Sequence, residues 1–131
     1  MNKDSAKSEE IFSTMHVIAV PDLAASAKFY EDTLGFTVHE IGDPGWRIFR
    51  RGAFQIMAGH CPDATPPSQT GDHSYFAYVH LRNASSLYRE LQQKDVDWIK
   101  HIADEPWGMR EFGIRTPDGH RIMFGEPLTQ N

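Results

Sequence analysis

The stretch VPDLAASAKFYEDTLGF, residues 20–36, decides how this chain folds. Its apolar residues recur at intervals of four, three and four, which places them on one face of a helix: Leu23, Ala27, Tyr30 and Leu34. Asp22 is a good N-cap, because its carboxylate can accept from the free amides of the first turn. Gly35 follows as the C-terminal stop. The β-branched and apolar residues 14–20 predict a strand that Pro21 ends, so the segment is interpreted as a strand leading directly into a helix.

Three further strands are predicted before a linker. They cover residues 36–41, 46–50 and 54–58. The GDPG sequence at 42–45 is typical of a turn, and Arg51-Gly52 is typical of a tight hairpin. Residues 60–73 are rich in Pro, Gly and Ser, which predicts a linker.

The same order of elements returns after the linker. Asn83 is predicted to cap a second helix, whose apolar residues are Ala84, Leu87 and Leu91. Strands are predicted at residues 74–81, 96–102, 107–116 and 121–124, with a hairpin at 117–120. The chain therefore predicts an α+β fold of two strand–helix–strand–strand–strand (βαβββ) modules, residues 13–59 and 74–127, in one domain spanning 13–131. Their curved mixed sheet is expected to enclose a cavity.

Composition and charge exclude several classes of function. The net charge of −5 argues against a nucleic-acid backbone as the main partner. No apolar run approaches the roughly 18 residues of a membrane span, and residues 1–12 lack the apolar core of a secretory signal. They are expected to form a disordered tail. The lone cysteine, Cys61, fits a reducing cytoplasm.

These residues resemble the vicinal oxygen chelate superfamily, which includes glyoxalase I, extradiol dioxygenases and bleomycin resistance proteins. The likeness covers nearly all of residues 14–127. Within the superfamily it is strongest to the bleomycin resistance group, in the motifs DPGW (43–46), RG (51–52), HCP (60–62), WGMREF (107–112) and TPDG (116–119). The resemblance implies a homodimer with grooves at its interface and a small-molecule ligand, for which a bleomycin-type glycopeptide is one candidate.

In metal-dependent members of this superfamily, one ligand comes from the first strand and one from the last strand of each module. The corresponding residues are Met15, Met57, Phe76 and Met123. A thioether is a poor ligand for Zn, Ni or Fe(II), and a phenyl ring is none, so neither a metal nor another cofactor is expected. His16 lies one residue from the expected position, which turns it to the helix-packing side or the module edge unless a bulge restores it.

Ten residues are candidates for ligand binding: Trp46, Met57, Phe76, Tyr78, His80, Trp107, Glu111, Phe112, Arg121 and Met123. If Phe76 faces the cavity, strand alternation brings Tyr78 and His80 there too. The indole rings could stack on a flat cationic ligand, to which Glu111 could supply a negative charge.

Each candidate also has a structural alternative. The methionines and tryptophans could fill a core, Glu111 could be solvated surface, and His80 could be a general base or simply hydrogen-bonded. His73 and His120 are expected to be solvated. The sequence favours a metal-independent protein that sequesters an aromatic, cationic ligand. The alternatives are a metal-dependent glyoxalase- or dioxygenase-type enzyme, with no catalytic residue assigned, and an interaction module without a useful pocket.

Overall fold

The computed structural model describes residues 11–71 and 73–128, so most of the predicted N-terminal tail lies outside the described residues. The first module consists of β1 (His16–Val20), α1 (Leu23–Asp32), β2 (Thr37–Glu40), β3 (Trp46–Arg51) and β4 (Phe54–His60). A linker with a 3₁₀ turn (Pro67–Gln69) follows. The second module consists of β5 (Tyr75–His80), α2 (Ala84–Gln92), β6 (Asp97–Asp104), β7 (Met109–Arg115) and β8 (Arg121–Pro127). The predicted order of elements is confirmed.

Each module forms its own four-stranded mixed sheet. The strand orders are β1-β4-β3-β2 in the first sheet and β5-β8-β7-β6 in the second. In both, the first strand pairs in parallel with the last, and the remaining pairs are antiparallel. The α+β prediction is confirmed, and the two sheets are separate rather than closed into one barrel. Within the described residues, no helix is long and apolar enough to cross a membrane.

Both predicted helix caps are confirmed. The carboxylate of Asp22 accepts from the amide of Ala25 at 3.1 Å, and the side chain of Asn83 accepts from the amide of Ser86 at 3.0 Å. The helices then bury their apolar faces on one side of each sheet, where Tyr30 stacks on Phe49 with 4.7 Å between ring centroids.

Register defines a second side of each sheet, which we call the open face. In the first sheet Met57 pairs with Val17 and Ile48, so these three side chains point away from α1. In the second sheet Met123 pairs with Tyr78 and Gly113. The side chains of Met123 and Tyr78 therefore point away from α2. The core therefore lies on the helix sides of the sheets, and each open face keeps exposed side chains such as Val17 and Tyr78.

The linker packs more closely than its polar composition suggests. Arg121, at the start of β8, is buried and donates to the hydroxyl of Ser74 at 3.2 Å and to the carbonyl of Ser68 at 3.4 Å. The equivalent Gln55, at the second position of β4, donates to the hydroxyl of Ser13 at 2.6 Å. The repeat thus extends to the segments that precede each first strand.

His120 joins the two modules, and the prediction that it is solvated is wrong. It is buried, and its Nε2 lies 3.0 Å from the carbonyl oxygen of Ala19 in β1. A carbonyl only accepts, so this nitrogen carries the proton. The reason is the β7–β8 hairpin, which folds back beneath α1 so that Ser26 donates to Asp118 at 3.1 Å.

Candidate functional site

On the open face of the first sheet, Trp46 lies flat across the neighbouring strand. A Cβ atom added at Gly59 would meet the indole ring at 2.7 Å, so this close approach requires glycine there. Met57 lies on the same face between Ile48 and the exposed Val17. Together they form an apolar surface with one large aromatic ring.

The open face of the second sheet carries a buried carboxylate. Glu111, in β7, is only 4% exposed. One of its oxygens accepts from the Tyr78 hydroxyl at 2.8 Å and from the Trp107 indole Nε1 at 3.1 Å. The other accepts from the Lys100 ammonium group at 2.8 Å, and Lys100 is also ion-paired with Glu105. We call these five residues the Glu111 network.

Near neutral pH Glu111 is held in its charged form and Tyr78 in its neutral form. Burial tends to raise the pKa of Glu111, but the hydrogen bonds from Lys100, Tyr78 and Trp107 outweigh it and bring that pKa below its ordinary value. Burial and the bond to Glu111 raise the pKa of the Tyr78 phenol. One ammonium group and two carboxylates therefore leave one net negative charge beside two aromatic rings.

The backbone explains why sequence reasoning missed Lys100. Trp98 faces the helix side, paired with Ile114, so simple alternation would put Lys100 there too. Register shifts on either side of Lys100 pair it instead with Gly113, on the open face. No signal in the sequence marks this bulge.

Gly125→Ala provides a direct test of how Tyr78 reaches Glu111. An added Cβ would lie 2.0 Å from the Tyr78 hydroxyl oxygen and 2.7 Å from its ring. The ring would therefore have to move away from the β8 backbone. We expect a loss of stability on the order of 1 kcal/mol and a fall of the Tyr78 pKa toward its ordinary value of 10.0. Ultraviolet titration of the phenols measures this. An unchanged titration would contradict the geometry.

Two of the other candidates lie on or beside the open face of the second sheet. The His80 ring is 5.3 Å from that of Tyr78, and the Met123 thioether lies over Gly113.

Three candidates lie elsewhere, which corrects the sequence-based expectation. Phe112 is fully buried in the core, stacked on Phe124 at 5.2 Å. Arg121 is buried beneath the linker. Phe76 stands at a bulge in β5, which turns its ring toward Phe54 and the module junction rather than the cavity.

The residues at the superfamily's metal-ligand positions do not fit a metal. Met57 and Met123 offer only thioethers, and Phe76 offers no donor. His16 shares its register with Ile56 and contacts the Phe54 ring at 5.7 Å, so its predicted position on the helix side is confirmed. Within residues 11–71 and 73–128, no group of three or more His, Cys, Asp or Glu side chains could hold a metal ion.

Comparison with known proteins gives the family. The model of the Glyoxalase/Bleomycin resistance protein/Dioxygenase superfamily matches residues 13–124, and the chain belongs to this superfamily. No curated protein matches the chain.

Solved structures share the fold at low identity. TioX from Micromonospora sp. ML1 superposes with a TM-score of 0.73 at 17% identity, over 89% of this chain and 99% of that one. The bleomycin-binding protein from bleomycin-producing Streptomyces verticillus, complexed with copper(II)-bleomycin, has a TM-score of 0.67 at 23% identity, over 87% and 94%. A bleomycin resistance determinant encoded on the transposon Tn5 has a TM-score of 0.69 at 21% identity, over 90% and 99%. These likenesses establish the architecture of the chain.

Proposed function

We propose that the protein binds a small, flat, cationic molecule reversibly and without a metal, as a bleomycin resistance-like protein. The observation that carries this proposal is the buried carboxylate of Glu111 between the rings of Tyr78 and Trp107. Two aromatic faces beside a net negative charge attract a planar cation through stacking, cation–π attraction and charge. The lowered pKa of Glu111 and the raised pKa of Tyr78 favour binding over acid–base catalysis.

A homodimer would complete such a site. The open faces expose apolar surface, including Val17 and Trp107, each 64% exposed. A second copy that places its first sheet opposite the second sheet of this chain would cover that surface. The ligand would then lie between Trp46 of one protomer and Trp107 of its partner. Since one structural neighbour is a bleomycin-binding protein, a bleomycin-type glycopeptide is a candidate ligand.

The second candidate function is a metal-dependent glyoxalase- or dioxygenase-type reaction. It would need donors such as imidazole and carboxylate on the inner strands. The thioethers of Met57 and Met123 at those positions argue against it.

The experiment that tests the proposal is a titration followed by tryptophan fluorescence in the presence of EDTA. Bleomycin and the planar cation 9-aminoacridine are the probes, and the neutral analogue acridine is compared with the cation. We expect saturable quenching by the cation, weakened about tenfold or more in Trp46→Ala, because stacking and cation–π contacts contribute on the order of 1 kcal/mol each.

Trp98→Phe is the matched control, because Trp98 packs against Tyr88 on the helix side and its loss should leave the affinity unchanged. Binding that EDTA abolishes, together with stoichiometric Zn, Ni, Mn or Fe retained through dialysis, would contradict the proposal and favour the enzyme. Absence of any saturable quenching by either probe would also contradict it.

A further inference from the structure

A groove lies on the helix side of the molecule, where the β3–β4 turn of the first module meets α2 of the second. Its volume is 680 Å³, within the usual range of small-molecule sites. We propose that this groove, which meets the open face of the second sheet at Tyr78 and His80, is a second ligand site and that it takes an aliphatic monoanion such as a medium-chain carboxylate.

The floor and walls of the groove are aliphatic and aromatic. Phe36, Leu91 and Phe124 reach it from the core, and the partly buried Phe54 and Leu87 form its sides. A hydrocarbon chain laid on this surface would remove apolar area from water, which contributes roughly 0.8 kcal/mol per buried CH₂ group. The groove therefore favours a ligand with a flexible apolar body.

Charge at the rim selects the head group. Arg51 is already ion-paired, since it donates to both carboxylate oxygens of Glu90, at 2.8 and 3.1 Å, and also to the carbonyl of Leu34. Arg82 also lines the groove and is exposed, and no described residue forms an ion pair with it. One uncompensated guanidinium beside an apolar channel is complementary to a single carboxylate.

Side chains of the protein already cap the helix N-terminus at the rim. The amide of Ala84 already donates to the carboxylate of Glu126 at 2.9 Å, and the side chain of Asn83 caps the amide of Ser86. The anion is therefore assigned to the Arg82 guanidinium.

The repeat supplies an internal comparison. The equivalent groove between the β7–β8 turn and α1 has a volume of 560 Å³ and is lined by three aspartates and one arginine: Asp95, Asp97, Asp118 and Arg115. The linker also packs there, since a Cβ added at Gly119 would lie 3.2 Å from Pro66. At the corresponding Gly52 nothing lies within 4 Å of such an atom. The first groove is thus the more basic member of the pair.

The test is a titration of the full-length protein with decanoate, followed through backbone amide shifts. We expect saturable shifts at Gly52, Ala53 and Leu87, and none of comparable size at Gly59 on the open face of the first sheet. Decylammonium, which has the same alkyl tail and the opposite charge, should bind at least about tenfold more weakly.

Two variants separate the groove from general charge effects. Arg82→Gln should weaken decanoate binding about tenfold, whereas Arg89→Gln, at an exposed residue of α2 that does not line the groove, should leave it unchanged. The proposal would be overturned if decylammonium bound as tightly as decanoate. It would also be overturned if the shifts were confined to the open faces or did not saturate. So would shifts at the groove amides that follow protein concentration alone, because a second copy would then cover the groove. The response of Trp46 to 9-aminoacridine is independent of these results, so the two proposals can fail separately.

Discussion

Phe112→Ala is expected to destabilise the protein by about 4 kcal/mol, the cost of emptying a filled aromatic position in a core. The Phe112 ring is fully buried, stacked on Phe124 and in edge contact with Tyr88 at 5.4 Å. Helix α2, β7 and β8 meet at this ring, so a cavity there cannot be filled by the movement of one side chain. Urea unfolding followed by far-ultraviolet circular dichroism measures the loss.

Phe12→Ala is the matched control, because Phe12 is 96% exposed and its removal should change stability by less than about 0.5 kcal/mol. Phe112→Leu should retain the fold and bind 9-aminoacridine as the wild type does. If Phe112→Leu instead lost the ligand at unchanged stability, Phe112 would have to be a contact residue, and its buried position in the structure would be contradicted.

The order of elements could be predicted from sequence because local signals repeat. Asp22 and Asn83 each precede an apolar helical face, and a cap accepts from amides only a few residues away. Hairpin turns such as Arg51-Gly52 carry similarly local chemistry. Such features depend on neighbours in the chain, so one sequence is sufficient to find them.

The side of the sheet on which a residue lies was less predictable, because alternation fails at a bulge. Phe76 was expected to face the cavity with Tyr78, but the register shift in β5 turns it toward the module junction. The shifts in β6 act in the opposite sense and bring Lys100 to the open face. A bulge depends on pairing with a strand distant in sequence, and so it leaves no local signal.

Burial of polar groups was also hidden in the sequence. Glu111 and His120 are charged or titratable residues that would ordinarily be solvated. Each is buried because distant elements supply its partners: Tyr78 reaches Glu111 across β8, and β1 supplies the carbonyl of Ala19 to His120. These contacts could be found only once the fold was known.

Glu111→Gln is expected to destabilise the fold by about 2 kcal/mol, although it hardly changes the shape of the side chain. The amide oxygen can still accept from Tyr78 and Trp107. The amide nitrogen, which is a donor, would face the ammonium group of Lys100, which is also only a donor. Because Lys100 keeps its ion pair with Glu105, the loss is smaller than for a fully buried pair.

The effect of Glu111→Gln should depend on pH. The pKa of Glu111 is lower in the folded chain than its ordinary value of 4.5. Its contribution to stability is therefore fully present above that value and is lost as pH falls through the folded pKa. The difference between the unfolding free energies of wild type and variant should stay constant from roughly pH 7 to pH 5 and shrink at lower pH. Glu40→Gln, at an exposed residue of β2 outside the Glu111 network, is the control variant.

The Glu111 network also predicts that the stability effects of substitutions at Glu111 and Lys100 are coupled. In the double variant Glu111→Gln/Lys100→Met no two donors face each other, so its loss of stability should be smaller than the sum of the single losses by about 1 kcal/mol. Glu111→Gln also removes the net negative charge, and its affinity for 9-aminoacridine should fall about tenfold while that for neutral acridine changes little. Additive stabilities would show that Lys100 and Glu111 do not act together. An equal loss of affinity for both probes would show that the carboxylate only positions the rings of Tyr78 and Trp107 and does not attract the cation.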